Sequence, residues 1–279
     1  MRLFSLLFSA VLLGAVALVA PPAAAQLEGS VLFVAPHRLI ITSGQKADTI
    51  SVSNKSDRER RYDLSLIDQI MTEKGVTKRI EDGSSFEYSV KSMVRYTPRR
   101  FTLKPGESQV VRVVVKRPSG LADGDYHSHL LFREVPLSRK DKEKLQEERA
   151  LAEKTVSFEI RTLYGIAVPI VVQQGNIASD IGINDISLNG KKQVSINFAR
   201  SGNAEASGKL SAEYVKGGSK PVTVIEPQWI RIYREAGRVT KTFNLKDLPS
   251  GASGGKIVVR LMRDETDPSK TIIKEIALN

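Results

Sequence analysis

Four side chains in the stretch DGDYHSH are of the types that ligate metals. Asp123, Asp125, His127 and His129 alternate along it. On a strand they share one face, and aspartate and histidine both ligate metals. Two residues along a strand span about 6.6 Å, which suits neighbouring ligands of one ion poorly unless the strand bends. Strand histidines are more often partly buried polar groups, so the sequence predicts no metal and no cofactor. It carries no Ser-His-Asp set, phosphate loop or nucleotide fingerprint. With only three histidines, hydrolase chemistry would need carboxylates that no pattern picks out. There are no cysteines, which excludes thiol catalysis and cysteine metal sites. No catalytic residue is assigned, and the expectation is a protein that is not an enzyme.

A second stretch points to recognition instead. In TVSFEIRTLYGIAVPIVV, every second residue from Val156 to Val168 except Thr162 is apolar: Val156, Phe158, Ile160, Tyr164, Ile166 and Val168. Ser157, Glu159 and Arg161 fall between. This is a strand pattern with one apolar face, more than twice the usual length of about 5–6 residues. Its first half either packs into this chain's own core or meets a surface elsewhere. Alternation alone allows both.

The elements that must position these residues are strands. Val31–Val34, Arg38–Thr42, Thr49–Val52, Tyr62–Ile67 and Val110–Val115 alternate and are rich in Val, Ile and Leu. Turn signals such as Ser43-Gly44, Lys74-Gly75 and Pro105-Gly106 separate them. A second block holds Ile181–Leu188, Gln193–Ala199, Gly208–Val215, Val222–Ile225, Trp229–Tyr233, Arg238–Leu245, Lys256–Met262 and Thr271–Ala277. The spacing predicts an all-β chain of two β-sandwich domains, residues 26–172 and 173–279. One segment, Leu137 to Lys154, is charged and full of helix formers, with a poor apolar stripe. It is expected to be a mobile loop with some helix.

Residues 1–25 have the order of a secretory signal peptide: Arg2, an apolar run from Leu3 to Ala20, then Ala23-Ala24-Ala25. Cleavage is expected after Ala25. An uncleaved anchor is the alternative, but the run is barely long enough to span and Pro21-Pro22 follow it directly. The mature chain is expected to be exported, with no stable membrane insertion after cleavage. The balance of 42 Lys+Arg against 31 Asp+Glu gives a formal net charge of +11. Export argues against nucleic acid as a partner, and the scattered basic residues read as a solvated surface.

Four stretches in order resemble the PapD-like periplasmic pilus (fimbrial) assembly chaperones. They are RLIITSGQKADTISVSN from Arg38 to Asn54, TLKPGESQVVRV from Thr102 to Val113, DYHSHLLFREVP from Asp125 to Pro136, and IRTLYGIAVP from Ile160 to Pro169. The resemblance implies two immunoglobulin-like domains in an L-shaped arrangement with a cleft between them. It implies a periplasmic chaperone that binds pilus or fimbrial subunits lacking a final β-strand and delivers them, with an outer-membrane assembly protein as a further partner. The long strand would lend its first half to the subunit by strand addition, with Val156, Phe158 and Ile160 as donor residues. A structural envelope or pilus-associated immunoglobulin-like protein without subunit delivery is the alternative.

The same resemblance implies roles for single residues. Arg38 matches the arginine that grips the subunit's C-terminal carboxylate, a task that suits a guanidinium fork. The family's second anchor, a lysine on the last strand, falls near Gly165, and neither Tyr164 nor Ile166 beside it is basic. Arg161 is a weak substitute, four residues or about 13 Å away along a strand. Arg112 and Asp125 match positions in a structural charge network between the domains. The family's N-P-T-P-type turn is replaced by FARSGNAEASG, Phe198 to Gly208.

Overall fold

The computed structural model describes residues 32–81, 83–136, 165–190, 192–249, 252 and 254–278. The signal-peptide region, the charged 137–154 segment, and Val156, Phe158, Ile160 and Arg161 lie outside the described residues.

The first sandwich follows from alternation. In β9 (Ser108–Val115), Val111, Val113 and Val115 point inward while Val110, Arg112 and Val114 face solvent. β9 lies in a sheet with β1 (Leu32–Ala35), β3 (Ala47–Asn54) and β7 (Val94–Thr97), in the order β1-β3-β9-β7. The facing sheet runs β2-β11-β10-β4-β8, built from β2 (Leu39–Ile41), β4 (Arg60–Ile67), β8 (Arg100–Leu103), β10 (Gly124–Val135) and β11 (Gly165–Gln174). In chain order, β1-β3-β9-β7 against β10 with its neighbours β11 and β4 is the A-B-E-D against C-F-G arrangement of an immunoglobulin-like sandwich. Both sheets feed one core, including Val34, Ile41, Ile50, Val113, Phe132 and Ile170.

The second sandwich sets β12 (Ser179–Asn189), β13 (Gln193–Gly202) and β16 (Arg238–Asn244) against β15 (Val222–Ile232), β14 (Ala206–Val215), β17 (Gly255–Met262) and β18 (Thr271–Leu278). Its core includes Ile181, Ile196, Phe198, Leu210, Val259 and Leu261. The chain is all-β, as the alternation predicts. One strand differs from the sequence reading: Val222–Ile225 and Trp229–Tyr233 join into the single β15. Pro227 is tolerated because β15 is an edge strand and the pairing with β14 is irregular there, between Leu210 and Ala212.

Three local features set up the junction between the sandwiches. Proline 36 ends β1, and the chain crosses from one sheet to the other before β2 pairs in parallel with β11. That corner places Arg38 at the rim. Next, β10 is buried on both faces over its first half. Tyr126, Ser128 and Leu130 face the first core, whereas Asp125, His127 and His129 lie on the other face. That outer face is covered by the second sandwich up to His129. Leu131 is only partly buried and Arg133 is exposed. Finally, the hairpin of β5 (Gln69–Met71) and β6 (Thr77–Arg79) reaches across, and the Thr240 N–H of β16 donates to the Glu73 carbonyl at 2.7 Å. Gly75 at its tip has φ +69°, and a side chain there would overlap Val239 and Lys241.

Candidate functional site

The rim of the junction carries a carboxylate between two guanidinium groups. Arg38 Nη2 donates to Glu205 Oε2 at 2.5 Å, and the pair is largely buried, with side chains 17% and 13% exposed. Arg231 Nε lies 3.8 Å from the other oxygen, Oε1. Arg231 is held over the half-exposed ring of Trp229, 5.5 Å from its centroid, both side chains standing on the outer face of β15. The Arg38 guanidinium lies 5.7 Å from the Tyr233 ring centroid. Its Nε is buried and has no hydrogen-bond partner among the described residues.

Glu205 sits between β13 and β14, and its own N–H donates to Asp125 Oδ2 at 2.7 Å. Burial pushes the Glu205 carboxyl above its ordinary range, and Asp125 adds to this, while Arg38 pulls it back. Burial likewise raises Asp125, against the backbone N–H of Glu205 and the charges of His127, Arg234 and Arg38. Arg234 closes this end. Its Nη1 donates to the Asp125 carbonyl at 3.1 Å, and its guanidinium stacks on Tyr88 at 4.5 Å. Gly124 has φ +138°, and a side chain there would overlap the Arg234 guanidinium and the Asn203 carbonyl. The close approach of the two units needs glycine at this point.

Deeper in the junction, His127 Nε2 and Glu235 Oε2 are 3.0 Å apart, and Glu235 Oε1 accepts from the Met71 N–H at 2.8 Å. Burial pushes the Glu235 carboxyl up, but the hydrogen bond and charge of His127, with backbone N–H groups, bring it below its ordinary value. Tyr233 packs on His127 at 4.4 Å between centroids, and its hydroxyl is 3.4 Å from His129 Nε2. His129 is pushed down to about 4, by burial first and then by His127 and Arg38.

The sequence-predicted residues thus fall in different places. Arg38, Asp125, His127 and His129 come together at the junction. Asp123 stands in the turn before β10, where it accepts from the Asn176 N–H at 3.0 Å. Arg112 is a correction to the interdomain charge network: it faces solvent on β9, opposite Thr49 and Thr97, because its neighbours Val111 and Val113 take the core side. Arg234 makes the interdomain contact to Asp125 instead. Gly165 opens β11 opposite Arg133. No cluster of three or more His, Asp or Glu suited to a metal occurs among the described residues. The sequence reading missed Glu205, Arg231, Tyr233, Arg234 and Glu235. Two signals were available: the charged run RIYREAG, Arg231 to Gly237, at the end of a strand, and the replaced turn FARSGNAEASG, which holds Glu205.

No family model matches the chain, and no curated protein matches it. Among solved structures, it is similar to the protein in "Chaperone-tip adhesin complex is vital for synergistic activation of CFA/I fimbriae biogenesis", with 15% identity and a TM-score of 0.45 over 90% of this chain and 100% of that one. It is similar to the YadV chaperone, with 12% identity and a TM-score of 0.46 over 89% of this chain and 100% of that one. It is also similar to a chain of the CsuC-CsuE chaperone-tip adhesion subunit complex of Acinetobacter baumannii, with 14% identity and a TM-score of 0.45 over 89% of this chain and 99% of that one.

Proposed function

We propose that this chain is an exported, periplasmic chaperone for pilus or fimbrial subunits that lack a final strand, and that it passes them to an outer-membrane assembly protein. In this reading Arg38 receives the subunit's terminal carboxylate. Val156, Phe158 and Ile160 fill the subunit's open groove, each contributing about 1.5–3 kcal/mol when fully buried. Backbone hydrogen bonds of the added strand supply the rest of the contact. The observation that carries the reading is the setting of Arg38: a guanidinium at the rim between two immunoglobulin-like sandwiches, already holding a carboxylate. The run of alternating apolar residues just before β11 supports it, since β11 takes up the same alternation with Val168, Ile170 and Val172 in the core.

Co-purification tests the reading. The exported protein should trap a subunit in a one-to-one complex. A structural envelope protein would assemble with itself or with the envelope instead. The double change Phe158→Asp and Ile160→Asp should abolish capture and leave the melting temperature of the free protein nearly unchanged, because charges there cannot enter an apolar groove. A collapsed melting temperature would mean that these residues belong to the chain's own core.

A further inference from the structure

The geometry around Glu205 bears on how a carboxylate would enter and leave this site. One oxygen of Glu205 is held by Arg38 at 2.5 Å, and the other faces Arg231 at 3.8 Å. The two contacts differ in character. Arg38 is largely buried and hydrogen-bonded, while Arg231 is 44% exposed on an edge strand, stands over the Trp229 ring and makes only an ion-pair contact. The buried Arg38 Nε has no partner among the described residues, so its N–H is a donor that Glu205 does not use. Glu205 belongs to the second sandwich and Arg38 to the first, so the bond spans the junction and no sheet hydrogen bond fixes its length.

Resting on the carboxylate-gripping reading of Arg38, we propose that Glu205 is a resident competitor for that site. Its carboxylate occupies the Arg38 fork while the cleft is empty, and an incoming C-terminal carboxylate displaces it. Arg231 then serves as the second cation, shared between the displaced Glu205 and the arriving group. Two carboxylates cannot both take the same guanidinium edge, and each repels the other at close range. The exchange makes capture selective. A ligand must bring an anionic group good enough to replace a charge-assisted hydrogen bond, so neutral or internal peptide segments are refused.

The test uses the full mature protein and a synthetic peptide of alternating valine and threonine ending in phenylalanine, made as the free acid and as the C-terminal amide. Titration calorimetry reads affinity, with a thermal melt on each variant. Wild type should prefer the acid over the amide. Glu205→Gln keeps the shape but offers Arg38 only a neutral acceptor, so it should bind the acid about tenfold more tightly and leave amide binding unchanged. Glu205→Asp keeps the charge but shortens the reach, and should give a smaller gain in the same direction. It stands in if the glutamine variant fails to fold. Weaker or unchanged acid binding by the folded variant, with wild type still preferring the acid, would overturn the competitor role and leave Arg38 as the anchor. Equal binding of acid and amide by wild type, or no binding of either at millimolar peptide, would overturn the anchor reading and the competitor with it.

Discussion

Two buried arginine–glutamate pairs in this protein have similar length and depth but different settings. Arg60 Nη1 bonds Glu134 Oε1 at 2.7 Å, with side chains 7% and 10% exposed. Arg38 bonds Glu205 at 2.5 Å and is a little more open. Arg60 and Glu134 sit on β4 and β10, neighbours in one sheet whose register pairs Glu134 with Tyr62. Arg60 Nε also donates to Ser56 Oγ at 2.9 Å, and the Tyr62 hydroxyl beside them is pushed up to about 12 by burial and by Glu134. Sheet pairing holds both residues, Glu134 opposite Tyr62 and Arg60 opposite Leu103. The Arg38 pair joins two separate cores and is flanked by a half-exposed arginine, whereas a buried atom without a partner among the described residues is common to both, Arg38 Nε in one pair and Glu134 Oε2 in the other. A locked pair fixes a fold, whereas a pair across a junction can exchange its partner.

The comparison breaks most sharply on stability. Arg60→Ala leaves Glu134 buried without its cation, and should cost about 3–5 kcal/mol in a denaturant melt. A loss comparable to that of an exposed substitution would mean that the first pair is no more locked than the second.

The junction itself should show in the pH dependence of folding. His129 has an ordinary pKa of 6.5 and is held at about 4 in the fold. The unfolded chain therefore takes up a proton on this ring before the folded chain does. Stability is full above about pH 6.5, falls as pH drops towards 4, and levels off below that. This one group should account for about 3 kcal/mol across the window. His129→Gln, which retains a polar partner for the Tyr233 hydroxyl, should flatten that part of the profile. An unchanged slope would remove His129 as its source.

The smallest effect is expected at Arg112. It faces solvent on β9, so Arg112→Ala should leave both the melt and subunit capture unchanged. A loss of capture alone would place a partner on the outer face of the first sheet.

Much of the fold was legible because alternation is local. Val111, Val113 and Val115 announce the inner face of β9 with no knowledge of the rest of the chain. The junction was not legible in that way. Asp125, His127 and His129 read as one polar face of a strand, and nothing nearby says that a second sandwich will bury it. Glu205 lies in the replaced turn FARSGNAEASG, 167 residues from Arg38, and only the packing of two cores brings them together. Arg112 follows the same logic in reverse: likeness of a short stretch suggested a junction role, but the pleat of β9 turns its side chain outward. The two stretches that join in β15 meet across Pro227, whose missing N–H matters in a central strand and not at an edge.

Subunit capture by Arg38→Ala, set beside its thermal melt, tests the role of the junction arginine. The substitution removes the junction pair but no sheet hydrogen bond, so the protein should stay folded. Losing a buried charge-assisted contact should weaken capture by about 2–5 kcal/mol, at least about thirtyfold in affinity. A folded Arg38→Ala protein that captures a subunit as tightly as wild type would mean that Arg38 is not the carboxylate anchor.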